Sequence, residues 1–128
     1  MSKKVLIVDD SKFSRTLLRV PLVRLGFSVT MTAGPREAMA SLSTDKPDLI
    51  ITDLKMPSLM DGLGFLRQLG LEMPAIPVLV YSADPDPANT VGPTGIHKIR
   101  FIQKPIKPDA LEWEILESLS QVKGFSPD

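Results

Sequence analysis

The chain has 128 residues, which at roughly 100–200 residues per domain predicts one domain over residues 1–128. Fifteen Lys and Arg balance fifteen Asp and Glu, so no net basic field would attract a nucleic-acid backbone, and the apolar fraction of 43% is too high for a disordered tail. No cysteine is present, and the longest apolar runs have four residues, far fewer than the ~20 that span a bilayer. We therefore expect a soluble, cytoplasmic protein without disulfides that binds neither nucleic acid nor membrane.

Short apolar segments rich in β-branched residues alternate with longer segments of helical spacing. The strand-like segments are residues 5–8, 29–31, 49–52, 78–81 and 99–102. The helix-like segments are residues 11–25, 35–42, 63–69 and 109–122, the last with an apolar stripe of Leu111, Ile115, Leu119 and Val122. Strands joined by helical crossovers run parallel, so the pattern predicts an α/β fold with one five-stranded parallel sheet and helices on both faces.

The fourth crossover departs from this pattern. Residues 84–95 contain three prolines and two glycines. Each interior proline removes a backbone donor and clashes with the preceding helical turn. The segment therefore predicts irregular backbone in place of a full fourth helix.

Three carboxylates stand where predicted strands end. Asp9 and Asp10 follow the first strand, and Asp53 follows the third. Ligands of open α/β sheets bind at the carboxyl ends of the strands, and carboxylates that converge there would repel one another. A hard divalent cation would relieve this repulsion, which points to a Mg²⁺ site. The alternative is that Asp10 and Ser11 cap the first helix and Asp53 caps a loop.

The ends of the fourth and fifth strands are also polar. Ser82 offers a hydroxyl and Ala83 an unencumbered backbone N–H, while Lys104 offers an ammonium group beside Pro105, a bond that can be cis. Together with an acidic cluster, these groups suit a phosphoryl group held with its metal. Taken singly, Ser82 is typical of a turn and Lys104 of a solvated surface charge.

Four segments, in this order, resemble the receiver domain of two-component response regulators. They are Val-Leu-Ile-Val-Asp-Asp-Ser at residues 5–11, Asp-Leu-Lys-Met-Pro at 53–57 with Met-Asp-Gly at 60–62, Ser-Ala at 82–83 and Lys-Pro at 104–105. The resemblance covers essentially the whole chain. It implies a flavodoxin-like, doubly wound sheet of order 2-1-3-4-5. It also implies a phospho-acceptor switch, not a turnover enzyme, with a histidine kinase or phosphotransfer protein as donor and a downstream protein as target.

Carried over by position, the resemblance makes Asp53 the phosphoacceptor. It implies that Asp10 and Asp53 bind Mg²⁺ directly, that Asp9 acts mainly through water, and that the backbone carbonyl of Lys55 supplies a further ligand. Mg²⁺ keeps several waters, which agrees with so few protein ligands.

The resemblance also assigns the remaining polar groups. Ser82, the Ala83 N–H and Lys104 would hold phosphoryl oxygens. Ser82 and Phe101 would form the switch that responds to phosphorylation, although a Phe on a strand is by default a core residue.

Two features depart from the family pattern or vary within it. The stretch of residues 56–62 is one residue longer than the commonest family form, which would change the shape of the loop that carries the Lys55 carbonyl. Lys55 and Asp84 carry opposite charges beside the approach to Asp53, so an ion pair between them could form a gate over the acyl phosphate.

Two other functions fit parts of the sequence. The first is a receiver-like interaction module that is never phosphorylated, against which the complete set of acids argues. The second is a phosphatase or mutase of the haloacid dehalogenase type, which places an acid where Lys55 stands.

Overall fold

Strands and helices alternate along residues 3–120, the part of the chain that the computed structural model describes. The strands are β1 (Lys4–Val8), β2 (Ser28–Thr32), β3 (Leu49–Thr52), β4 (Val78–Ser82) and β5 (Ile99–Gln103). The helices are α1 (Lys12–Arg24), α2 (Pro35–Thr44), α3 (Leu59–Glu72), α4 (Pro87–Val91) and α5 (Pro108–Leu119). Within residues 3–120, no helix has the length and apolar character needed to cross a membrane.

The five strands form a single parallel sheet of order β2-β1-β3-β4-β5, which confirms the predicted topology. Val8 at the end of β1 lies beside Thr32 of β2 and Thr52 of β3. Beyond β3 in the strand order, Ser82 at the end of β4 lies beside Gln103 of β5. This register places the residues that follow β1, β3, β4 and β5 along one edge.

Each face of the sheet carries its own hydrophobic core. Helices α1 and α5 cover one face, where Leu18, Leu22 and Ile115 pack on alternate residues of the central strands. Helices α2, α3 and α4 cover the other, with Phe65 and Val91 among the buried side chains. Burial on both faces explains why the central strands read as continuous apolar runs. The predicted stripe on α5 is buried at Leu111, Ile115 and Leu119, whereas Val122 lies outside the described residues.

Helix α3 begins at Leu59, earlier than the predicted start at residue 63. The Ser58 hydroxyl accepts a hydrogen bond from the Asp61 N–H, and the Asp61 carboxylate accepts one from the Ser58 N–H. This capping box satisfies backbone donors that would otherwise be unpaired at the helix start. The prediction was wrong here because it followed apolar periodicity and not the cap.

Helix α4 has five residues, which agrees with the prediction that residues 84–95 hold no full helix. Pro87 stands at its first turn, where a missing N–H removes no intrahelical bond. Gly92 ends it with a φ of +66°, in the left-handed region that favours glycine. The prolines and glycines of this segment therefore limit α4 to little more than one turn.

Candidate functional site

The three predicted carboxylates converge at the carboxyl ends of β1 and β3. The ladder continues one residue past each strand, since the Asp9 N–H donates to the Thr32 carbonyl at 3.1 Å and the Asp53 N–H to the Val8 carbonyl at 3.0 Å. One carboxylate oxygen from each of Asp9, Asp10 and Asp53 lies within 4.8 Å of the others. The strand register thus brings together acids that are far apart in sequence.

Asp9 is the buried member of this acidic group, with 0% of its surface exposed. Its Oδ1 accepts a hydrogen bond from the Ser11 N–H at 2.9 Å, whereas its Oδ2 has no hydrogen-bond donor among residues 3–120. Burial raises the pKa of Asp9, and the neighbouring charges of Asp53 and Asp10 add to the rise, while Ser11 and Lys104 oppose it. A buried oxygen without a donor, in a set of hard oxygen ligands, fits a divalent cation such as Mg²⁺.

Asp53 and Lys104 form the central ion pair of the site. The Lys104 ammonium donates to Asp53 Oδ2 at 2.9 Å and lies 3.7 Å from Asp9 Oδ2. Asp53 Oδ1 accepts a hydrogen bond from the Leu54 N–H at 2.6 Å. The Asp53 side chain remains 13% exposed, so an incoming group can reach it.

The pKa of Lys104 reflects two opposing effects. Burial lowers it, but the hydrogen bond and charge of Asp53, with the charges of Asp9 and Tyr81, outweigh burial and raise it above its usual value. Lys104 is therefore a permanent cation at neutral pH, placed beside the carboxylate of Asp53.

A cleft of about 710 Å³ opens over this ion pair. Its polar lining contains most of the predicted site residues: Asp10, Asp53, Lys55, Ser82, Ala83, Asp84 and Lys104. Its apolar wall consists of Leu54, Pro57, Leu59 and Pro85. The Ser82 hydroxyl is buried and accepts a hydrogen bond from the Asp84 N–H at 3.0 Å. The cleft thus combines acids, a hydroxyl, an ammonium group and free space large enough for a phosphoryl group.

Like the buried Asp9, the predicted site residue Phe101 does not line this cleft. It is half-buried on β5, opposite Val80 in the register, and packs against the core on the α2, α3 and α4 side. Its surroundings are those of a partly covered core residue, and its part in switching stays a prediction.

The predicted gate between Lys55 and Asp84 is wrong for this structure. Both residues line the cleft, but no ion pair joins them in the part of the chain that is described. Asp84 Oδ1 instead accepts a hydrogen bond from the Asp86 N–H at 2.8 Å, and this bond, together with the nearby Thr90 hydroxyl, lowers the pKa of Asp84. The Asp84 carboxylate therefore supports the start of α4.

The loop after Asp53 is held by a close approach of α3. A Cβ at Gly62 would overlap the carbonyl of Leu54, so only glycine allows this contact. The peptide bonds Met56–Pro57 and Lys104–Pro105 are both cis, and the second was anticipated from the sequence. Gly62 thus allows α3 to pack closely against the backbone that follows Asp53.

Two contacts of the site escaped the sequence analysis. The Arg15 guanidinium donates from Nη1 to the Asp9 carbonyl at 2.7 Å, and the Lys104 ammonium lies 5.0 Å from the centre of the Tyr81 ring. Arg15 stands one turn after the N-cap Ser11, and helical side chains lean towards the N-terminus, so its spacing was a usable signal. No pattern in the sequence pointed to Tyr81.

Comparison with known proteins agrees with this geometry. The chain is 33% identical over 108 residues to the alkaline phosphatase synthesis transcriptional regulatory protein PhoP of Bacillus subtilis, an alignment that covers 84% of this chain and 45% of that protein. The chain spans about half or less of the length of the curated relatives it matches.

Solved structures of response regulators and receiver domains have a fold similar to that of this chain. The chemotaxis response regulator CheY4 of Vibrio cholerae has a TM-score of 0.82 and 27% identity, covering 93% of this chain and 100% of that one. The signal receiver domain of a signal transduction histidine kinase from Syntrophus aciditrophicus has a TM-score of 0.82 and 32% identity, covering 99% and 97%.

The family model of the response regulator receiver domain matches residues 5–116. The chain therefore belongs to the receiver domains of two-component response regulators, which are signalling domains that work as phosphorylation switches and not enzymes that turn over a separate substrate.

Proposed function

We propose that this chain accepts a phosphoryl group on Asp53 from the phosphohistidine of a histidine kinase or phosphotransfer protein, in a reaction that needs Mg²⁺. The observation that carries the proposal is the Asp53–Lys104 ion pair at 2.9 Å, in a cleft where Asp9 and Asp10 lie within metal-ligand reach of Asp53. We further propose that residues 1–128 act as one receiver unit, whose phosphorylation changes its affinity for a downstream protein.

In the proposed transfer, an Asp53 carboxylate oxygen forms a bond to phosphorus while the bond between phosphorus and the donor's imidazole nitrogen breaks. The electron pair of the broken bond stays on that nitrogen, and the products are an acyl phosphate and a neutral imidazole whose other ring nitrogen carries a proton. No general base is required, because the nucleophile is a carboxylate oxygen and not a hydroxyl. The transition state is loose, with charge spread over the equatorial oxygens. Lys104, the Ser82 hydroxyl and the Ala83 N–H would hold those oxygens, so catalysis is positioning and charge neutralisation.

The chemistry of the acidic group fits a hard cation. Asp10 and Asp53 would hold Mg²⁺ directly, Asp9 mainly through water, and the Lys55 carbonyl would add a ligand. When bound, the ion would neutralise charge on the phosphoryl oxygens. The buried Asp9 Oδ2 that lacks a donor supports this assignment.

The switch would start at Ser82. Its oxygen accepts a hydrogen bond from the Asp84 N–H, and its O–H would donate to a phosphoryl group on Asp53. Movement of Ser82 towards that group would weaken the bond from Asp84 and loosen the backbone that leads into α4. Phe101 on the adjoining strand β5 would turn inward in response. The changed surface near α4 and β5 would then alter the affinity for the downstream partner.

The test is intact-mass analysis after incubation with acetyl phosphate and Mg²⁺. The parent should gain one phosphoryl mass and lose that gain when Mg²⁺ is chelated. Asp53→Asn should gain nothing, whereas Asp45→Asn, which removes an exposed acid paired with Lys4, should label like the parent. Undiminished labelling of Asp53→Asn would refute the assignment, and no labelling of the parent under any condition would favour the unphosphorylated interaction module.

A further inference from the structure

We propose that Arg15 is a positioning residue of the acidic site, which holds the Asp9–Asp10 turn in the conformation that presents Asp10 to a divalent cation. The inference rests on the proposed function, because it concerns how this chain prepares the Mg²⁺ site. It assigns a role to a residue of α1 that contributes no ligand atom itself.

The need for a positioning contact follows from the surroundings of Asp10. Its carboxylate is exposed and makes no hydrogen bond or ion pair with another residue among 3–120. Since no group in the described part of the chain holds this side chain directly, its location depends on the backbone between β1 and α1. That connection consists of Asp9 and Asp10 followed by Ser11, the N-cap of α1.

Asp9 is held on both its side chain and its backbone. The Ser11 N–H donates to Asp9 Oδ1 at 2.9 Å, and the Arg15 guanidinium donates to the Asp9 carbonyl oxygen at 2.7 Å. The Asp9 carbonyl belongs to the peptide group that leads into Asp10. Arg15 therefore restrains the peptide plane that orients Asp10, a restraint that the Ser11 contact does not supply.

The contact, and not positive charge in general, distinguishes Arg15 on its helix. Helix α1 also carries Lys12, Arg19 and Arg24, all exposed, whereas Arg15 is half-buried. A guanidinium has its donors in a rigid plane, so a charge-assisted hydrogen bond from Arg15 fixes a direction as well as a distance. Arg19, one turn further along α1, offers a matched control for the loss of one positive charge.

The expected effect is on metal affinity. Without Arg15 the Asp9–Asp10 peptide can rotate, and part of the free energy of Mg²⁺ binding is then used to order it. Removing a group that orients metal ligands typically lowers metal affinity by about 10-fold or more, so we expect Arg15→Ala to weaken Mg²⁺ binding by about tenfold.

The experiment is titration calorimetry of Mg²⁺ into the metal-free chain. Arg15→Ala and Arg15→Met should both bind about tenfold more weakly, the second because Met keeps an aliphatic stem without a donor. Arg19→Ala should bind like the parent. In metal-free protein, the amide resonances of Asp10 and Ser11 should shift in both Arg15 variants. A low, non-denaturing concentration of guanidinium chloride should partly restore Mg²⁺ affinity to Arg15→Ala, whereas the same concentration of sodium chloride should not.

The outcomes separate this inference from the proposed function. Parent-like Mg²⁺ affinity in a folded Arg15→Met variant would overturn the role of Arg15, even if Asp53 is still phosphorylated. An equal loss of Mg²⁺ affinity in Arg19→Ala, or equal rescue of Arg15→Ala by sodium chloride, would show that positive charge and not the Arg15 contact matters. Either result would also overturn the role of Arg15. A parent chain that binds no Mg²⁺ and takes no phosphoryl group would refute the proposed function, and this inference with it.

Discussion

The buried carboxylate of Asp9 should destabilise the metal-free protein at neutral pH, and Asp9→Asn should therefore stabilise it. The asparagine keeps an oxygen that can accept the Ser11 N–H and replaces Oδ2, which lacks a donor, with an amide group. The substitution also removes one negative charge from the cluster of three acids, where repulsion from Asp53 and Asp10 contributes to the raised pKa of Asp9. The variant loses the attraction of Lys104, whose ammonium lies 3.7 Å away.

The pH dependence follows from the direction of the shift. Burial raises the pKa of Asp9 above its ordinary value of 3.8, so the folded state binds this proton more tightly than the unfolded chain. Below pH 3.8 the Asp9 carboxyl is protonated in both the folded and the unfolded state and does not destabilise the fold. The destabilisation develops as pH rises from that value through the raised pKa of the folded state. The stabilisation by Asp9→Asn should be present at neutral pH and absent below about pH 3.

The magnitude comes from the removal of a buried charge. Leaving a buried polar group without a partner costs about 1–3 kcal/mol, and leaving a charged group so costs more. Asp9→Asn exchanges the charge for a neutral amide, and Lys104 keeps its hydrogen bond to Asp53, so the net gain is about 1–2 kcal/mol. For a chain of this size, the midpoint of thermal unfolding should rise by roughly 3–8 °C.

The assay is thermal unfolding followed by circular dichroism, in EDTA at neutral and acid pH and again with Mg²⁺. Saturating Mg²⁺ should stabilise the parent, by about 2.7 kcal/mol at a hundredfold excess over its dissociation constant, and should stabilise Asp9→Asn less. Asp109→Asn is the matched control, because it removes an exposed acid from the first turn of α5 and should lower the midpoint slightly. If Asp9→Asn melts no higher than the parent in EDTA at neutral pH, the account of Asp9 as a buried, destabilising charge is wrong.

Two further predictions concern glycines and backbone mobility. Gly62→Ala should lower the free energy of unfolding by about 1–3 kcal/mol or more, because its Cβ would overlap the Leu54 carbonyl. Gly64→Ala on the same helix meets open space and should raise the free energy of unfolding by about 0.5–1 kcal/mol. Urea unfolding of the two variants measures both changes, and equal effects would contradict the packing argument. Amide hydrogens of residues 84–95 should exchange faster than those of residues 49–52, since α4 is little more than one turn; strand-like protection throughout residues 84–95 would contradict this expectation.

Local patterns in the sequence were sufficient to predict the sheet and the edge where the chemistry lies. Apolar runs of β-branched residues predict buried parallel strands, and parallel strands bring their carboxyl ends to one edge. Asp53 and Lys104 are 51 residues apart and form a hydrogen bond because each follows a strand of that sheet. Prolines and glycines likewise indicated that α4 would be short, since their effect on the backbone is local.

Tertiary structure decided the properties that depend on what surrounds each side chain. Asp9 and Asp10 are identical neighbours in the sequence, yet Asp9 is fully buried with a raised pKa and Asp10 is exposed. The contacts of Arg15 with the Asp9 carbonyl and of Tyr81 with Lys104 depend on how α1 and β4 pack around the strand ends. Solvation and charge at a site are sums over atoms that distant segments supply, so they are defined only when the crossovers and the strand register have placed those segments together.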